Sequence, residues 1–251
     1  MRRTGTKAFV RRTLAAAAVA ALVAIAAGYL PTGLQAQAPA ASSAIPNLTG
    51  IWARTGRAVT PEQLPLNARG IALREAIDES LAPMYDCVPA TVPHILGDPY
   101  NFQIEQRPDR VIIKFEKDAV TRTVWLEGHG HPAASNNDFA LHGYSVGRYE
   151  GGQLVVETTK YTFDPGGLED KPPMTPSSTQ KKTVERYSRD GDKLTVDVVL
   201  EDRLIIKEPV RFKFEFLPTK EALVEWPECD AEQARAPINY MPVNQLKYGI
   251  R

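Results

Sequence analysis

Val210, Phe212, Phe214 and Phe216 alternate with Arg211, Lys213 and Glu215, and this period of two constrains the fold more than any other feature of the chain. Successive side chains of an extended strand point to opposite faces, so such a segment has one face to bury and one that tolerates water. The pattern recurs. Val111, Ile113 and Phe115 alternate with Arg110, Ile112 and Lys114, and Leu194, Val196, Val198 and Leu200 alternate with Thr195 and Asp197. Further strand candidates are a short opening strand at 48–52 and the segments 121–127, 144–150, 153–159, 183–188 and 223–226. Gly151-Gly152 and Asp190-Gly191-Asp192 supply hairpin turns.

About nine short strands of this kind must bury their apolar faces by closing on themselves or by stacking as two sheets. Closure removes exposed edges. The expectation is therefore an all-β, antiparallel barrel spanning residues 48–230, with a two-sheet β sandwich as the alternative. One short N-terminal helix is expected over 68–81, where Ile71, Leu73, Ile77 and Leu81 fall near helical spacing and Pro83 ends the run. Residues 128–143 and 160–180, rich in Pro, Gly, Ser and Thr, read as long loops, where binding residues tend to sit. Residues 231–251 read as a C-terminal extension.

The chain opens with Arg2, Arg3, Lys7, Arg11 and Arg12, continues apolar from Leu14 to Ala27, and reaches Leu34-Gln35-Ala36-Gln37-Ala38. A positive flank, a short apolar core and an Ala-x-Ala exit are the marks of a cleavable signal peptide over residues 1–38. Gly28, Pro31 and Gly33 break the apolar run before it reaches the roughly 20 residues a membrane span needs. Cleavage is expected after Ala36 rather than Ala38, because Pro39 follows the latter, and 39–47 is a flexible lead-in. The signal holds five of the 30 basic residues and none of the 30 acidic ones. The remainder carries 25 against 30, a net of −5. That balance, without a basic cluster, argues against nucleic acid or an anionic membrane as partner. The expected location is periplasmic or secreted. In an oxidising compartment Cys87 and Cys229, the two cysteines of the chain, are expected to form one disulfide.

Gly50-Ile51-Trp52 resembles the Gly-x-Trp that opens the first strand of lipocalin-like barrels, which implies a barrel whose mouth holds one small apolar ligand. A second resemblance runs from Cys87 to Cys229. It is carried by Pro99-Tyr100-x-Phe102, Pro108-x-Arg110-Val111, His131-Pro132, Gly143-Tyr144-Ser145-Val146-Gly147-Arg148-Tyr149-Glu150-Gly151 and Leu154-Val155-Val156-Glu157-Thr158. The series is similar to a family of exported, mostly uncharacterised bacterial proteins that read G-H-S-I-G-x-W-E-G-D-T-L-V-V-D-T through the middle. This chain departs from them with Tyr144 for His, Tyr149 for Trp and Gly152 for Asp, and with Ser177-Ser178 where members have Pro-His-Ser. The resemblance implies export and a β fold and names no substrate.

Three chemistries are open to these residues. The first is general acid/base catalysis of the isomerase, lyase or dehydratase kind, without a cofactor. Its candidate residues are His131, which titrates near neutrality, with Arg122, Tyr144, Asp138 and Glu105 to orient it or hold an oxyanion. The second is binding of a small apolar or aromatic molecule, with Trp125, Tyr149, Arg148 and His94 as candidate contacts. The third is a metal site at His129 and His131, two apart, completed by Asp138, Glu127 or His142. A non-enzymatic structural or interaction protein of the envelope is the alternative to all three. No Gly-rich phosphate loop and no Gly-x-Ser-x-Gly elbow is present, so nucleotide chemistry and α/β-hydrolase chemistry are not expected.

Overall fold

The structure is a computed structural model describing residues 44–78, 80, 82–129, 138–170, 173–224 and 229–239. The signal expected over 1–38 lies outside the described residues. The described strands are β1 (Gly50–Val59), β2 (Phe102–Gln106), β3 (Arg110–Phe115), β4 (Thr121–Leu126), β5 (Tyr144–Glu150), β6 (Gln153–Thr159), β7 (Asp164–Glu169), β8 (Thr175–Ser177), β9 (Lys182–Asp190), β10 (Lys193–Glu201) and β11 (Val210–Thr219). Nine of them close into a barrel in the order β1-β11-β10-β9-β6-β5-β4-β3-β2, and β7 pairs with β8 in a separate two-stranded sheet. The all-β barrel expected from the alternation is the fold; the sandwich is not.

Closure comes from β1, which pairs with β11 through Ile51–Thr219 and with β2 through Gly50–Ile104. The pairing is antiparallel throughout the barrel except between β4 and β5, which run parallel, with Val124 opposite Ser145. A parallel step needs a crossover of a dozen or more residues, and residues 127–143 supply that length. Gly147 permits the close approach of these two strands, because a Cβ there would stand 2.7 Å from Val124 Cγ1.

Alternation sets which side chains fill the barrel. Trp52, Phe102, Ile104, Val111, Ile113, Val124, Leu154, Val156, Leu194, Val196, Val198, Phe214 and Phe216 are buried in one apolar cluster. Each such side chain contributes about 1.5–3 kcal/mol when removed from water. Trp52 Nε1 donates to Leu48 O at 2.9 Å, and the Arg189 guanidinium lies 5.3 Å from its ring centroid.

Helix α1 (Ala68–Ala76) occupies the expected position but ends before residue 81, with Ile77 turning extended at ψ 131°. Asn67 Oδ1 caps its start by accepting from Gly70 N at 2.9 Å. A helix this short holds only where tertiary contacts support it. Those contacts run through Gly70, where a Cβ would lie 2.3 Å from Ile205 O, and Arg74, which donates to Thr175 Oγ1 and Glu169 Oε2 at 2.7 and 2.8 Å. Two further helices, α2 (His94–Gly97) and α3 (Ala231–Asn239), were not expected. Residues 160–180, read as a loop, contain β7 and β8; the Asp-Pro-Gly-Gly of β7 carries no alternation to reveal a strand, and β8 is three residues long. The candidate strand at 223–226 is not one at Leu223 and Val224; its other two residues lie outside those described.

Candidate functional site

The pairing places the start of β2, the end of β3, the starts of β4 and β5, the end of β6 and the start of β9 at one end of the barrel. A cleft of about 480 Å³ opens beside this end. Its apolar wall is Ala82, Pro83, Met84, Val88, Pro89 and Ala90, and Tyr100 also lines it. Asp98, Lys117, Asp118, Asp164, Gly166 and Asp170 complete the lining. The Cys87–Cys229 disulfide closes one side, with the two Cα atoms 5.6 Å apart. The expected pairing of the two cysteines is thus present. Arg235 of α3 strengthens the same wall by donating from Nε to Asp86 Oδ1 at 2.7 Å.

Behind the cleft stands a chain of buried polar groups. Asp164 accepts from Thr91 Oγ1 at 3.0 Å and from Gly166 N at 3.0 Å. Lys181 Nζ in turn donates to Thr91 Oγ1 and to Gly167 O, both at 2.7 Å. It sits 4.7 Å from the centroid of the Tyr161 ring. Lys181 is 1% exposed, and burial lowers its ammonium to about 8, against the opposing pull of Asp164 and Asp202. The hydrogen-bond order gives Lys181 as donor to Thr91 and Thr91 as donor to Asp164, so a continuous hydrogen-bonded path joins the buried amine to a carboxylate in the cleft.

The remaining carboxylates are held differently. Asp98 Oδ2 accepts from Lys117 Nζ at 3.1 Å. Burial nevertheless raises the Asp98 pKa, and Asp170 and Asp118 push in the same direction. His94 Nδ1 lies 3.5 Å from Asp170 Oδ1. Burial lowers the His94 pKa despite that neighbour, and its Nε2 has no hydrogen-bond partner.

A second polar cluster fills the barrel interior at the same end. Arg122, inward from β4, meets Glu185 of β9 end-on, Nη2 donating to Oε1 at 2.7 Å and Nη1 to Oε2 at 3.0 Å. Its Nη2 also reaches Ser145 and Thr158, each at 3.3 Å. Tyr187 Oη donates to Glu185 Oε2 at 2.6 Å, and Tyr161 Oη shares a hydrogen bond with Thr183 Oγ1 at 2.8 Å. Burial by itself would lower the Arg122 pKa, but the charge and hydrogen bonds of Glu185 outweigh it and the net direction is upward.

The described residues singled out from sequence lie on different parts of the barrel. Arg122 is in the interior and His94 borders the cleft region. Tyr144 and Arg148 share the outer face of β5, where Arg148 pairs with Glu150 at 3.0 Å. Glu105 is on the outer face of β2; hydrogen bonds from Lys114 and Arg107 hold its carboxyl below the usual range. Trp125 faces outward under the Arg110 guanidinium, 5.1 Å from its centroid. Tyr149 sits at the opposite end of the barrel, where Gln106 Nε2 donates to its hydroxyl at 2.9 Å. Asp138 is exposed. His129 is described and exposed, but His131 lies outside the described residues, and with it the candidate metal pair. Among the described residues no group of three or more His, Cys, Asp or Glu is arranged to hold a metal ion.

Sequence reasoning missed Thr91, Asp98, Asp164, Asp170 and Lys181. One signal pointed to Lys181: it has the same parity as Thr183, Glu185 and Tyr187, the inward residues of β9. Nothing local marked Asp164 or Asp170, which reach the cleft only through the folding of 160–180.

No protein-family model matches the chain, and no curated protein matches it. Among solved structures it is similar to a secretary abundant heat soluble (SAHS) protein from Ramazzottius varieornatus, at 13% identity and a TM-score of 0.37, covering 69% of this chain and 96% of that one. It is also similar to the wild-type fluorescent protein UnaG, at 15% identity and a TM-score of 0.33, covering 68% of this chain and 97% of that one. At such scores the barrel assignment rests on the strand pairing of this chain itself.

Proposed function

We propose that this is an exported protein that binds a small molecule with an apolar or aromatic body, and that the binding site is the cleft under the disulfide. The observation that carries this reading is the cleft itself: a volume of about 480 Å³ is in the range of small-molecule sites. Its apolar wall is fixed by a covalent cross-link, and polar groups converge at its base. The barrel interior offers less, because its inward faces are occupied by the apolar cluster and the Arg122–Glu185 pair. Export is supported by the N-terminal pattern and by the disulfide, a bond that persists in oxidising compartments. Among the described residues no helix is long and apolar enough to cross a membrane.

The test is a thermal-shift screen of ring-containing compounds on the purified protein and on Ala90→Trp, which fills the cleft. A ligand at 100 times its Kd adds about 2.7 kcal/mol of stability, so true ligands raise the melting temperature of the wild type and lose that effect in the variant. Ligands that stabilise both proteins equally would place the site elsewhere. A screen without stabilising compounds would favour a structural or interaction role in the envelope.

Acid/base chemistry is the second reading, and the Asp164–Thr91–Lys181 chain favours it. A cleft carboxylate joined by hydrogen bonds to a buried amine has the connectivity of a general acid/base. Once a ligand is found, its chemical conversion in the presence of the wild type, and not of Asp164→Asn, is the measurement that decides turnover.

A further inference from the structure

The cleft combines an apolar wall with an excess of negative charge. Four carboxylates line it, those of Asp98, Asp118, Asp164 and Asp170, against one cation, Lys117. Lys117 is already engaged, 3.1 Å from Asp98. The buried Lys181 ammonium answers Asp164 through Thr91 from behind, so it balances that carboxylate without entering the cleft. His94 stands 3.5 Å from Asp170, but its desolvated ring resists protonation. Among the described residues Asp118 and Asp170 are thus left without a full counter-charge, and both act on Asp98 as like charges.

An anionic molecule entering this cleft would meet repulsion with no basic group among the described lining residues free to offset it. A neutral apolar molecule would strip water from the carboxylates and return nothing for the lost solvation. A molecule with an apolar body and a positively charged nitrogen satisfies both halves of the lining. Its body covers Met84, Val88, Pro89 and Ala90, and its ammonium N–H groups make charge-assisted hydrogen bonds with carboxylate oxygen. Asp98 and Asp164 already accept hydrogen bonds from Lys117 and Thr91 and Asp118 is open to bulk water, so Asp170, with its side chain 35% exposed, is the carboxylate best placed to receive the head group.

We infer that the cleft selects an organic cation, an amine borne on an apolar or aromatic body, with Asp170 as the anchor of its charge. This rests on the cleft being the binding site and adds the class of ligand.

The experiment uses three matched probe series with the same phenylalkyl bodies: primary amines, alcohols and carboxylates. Each is titrated calorimetrically into the full protein at neutral pH. The amines should bind at least tenfold more tightly than the alcohols, with the carboxylates weakest, and the preference should shrink as salt is raised. Asp170→Asn should bring the amines down to the affinity of the alcohols while leaving the alcohols unchanged. Equal binding of amines and alcohols, both abolished by Ala90→Trp, would overturn the inference and leave the cleft standing as a neutral-ligand site. Tighter binding of carboxylates would reverse its sign. If no series binds, the inference falls together with the cleft as the site.

Discussion

Arg122 and Glu185 come from strands three positions apart in the barrel wall and meet across its interior in a two-pronged ion pair, with side chains 2% and 0% exposed. Such a pair must recover the cost of removing two charges from water through geometry and further hydrogen bonds. Tyr187, Ser145 and Thr158 supply those bonds. Removing one partner alone strands the other, so Arg122→Met should destabilise the protein by about 3–5 kcal/mol, whereas Arg122→Met combined with Glu185→Leu should cost less than Arg122→Met alone. Urea denaturation of the two variants checks this, and a double variant less stable than the single one would contradict it.

Lys181 should make stability rise in mild alkali. Its folded pKa of about 8 lies below the ordinary 10.5, so between those values the unfolded chain holds a proton that the folded chain has released. Stability therefore increases with pH across that window, by up to about 3 kcal/mol at its upper end. Asp164, Asp202, Arg122 and Glu185 are the charges acting on the amine. Denaturation midpoints at pH 7.5 and 9.5 should show the rise in wild type and its absence in Lys181→Met.

His142 acts on the acid side. Burial, with the positive charges of Arg122 and Lys181, lowers it from 6.5 to about 4. As pH falls from 6.5 toward 4 the unfolded chain takes up a proton that the folded chain refuses, so stability falls, by about 2 kcal/mol for a ring that keeps some solvent access. His142→Gln should lose less stability than wild type between pH 7 and 4.5. The difference between the two proteins isolates this group from the other residues titrating in acid.

The Cys87–Cys229 bond spans 142 residues, for which the chain-entropy model gives about 5 kcal/mol. Cys87→Ser with Cys229→Ser should lower the melting temperature by several degrees. It should also weaken ligand binding in the cleft beyond what the stability loss explains, because the bond is part of the cleft wall. Unchanged affinity in the folded double variant would separate the bond from the site.

Much of the barrel was legible because one physical rule, alternation of buried and exposed faces, operates locally along β3, β9 and β10 and along β11 as far as Phe216. Arg122 with Val124 and Lys181 with Glu185 obey it as well. The same parity that buries a valine buries an arginine, and only the presence of a partner across the barrel makes that tolerable. The cleft was not legible. Asp98, Asp164 and Asp170 lie on segments without periodicity, and Thr91 lies in a stretch where Pro89 and Pro93 obscure any pattern.

By itself the sequence determined an all-β chain that must bury its apolar strand faces, two cysteines suited to one bond, and an N-terminus with the pattern of an export signal, since each follows from the order of residues along a short stretch. Only the tertiary structure decided that β4 and β5 run parallel, that Arg122 faces Glu185, and that an acidic cleft forms where residues 82–90 meet β7 and the turn after β3. These depend on contacts between residues far apart in the chain. Local propensity carries no record of which distant partner will neutralise a charge or leave it exposed to a ligand.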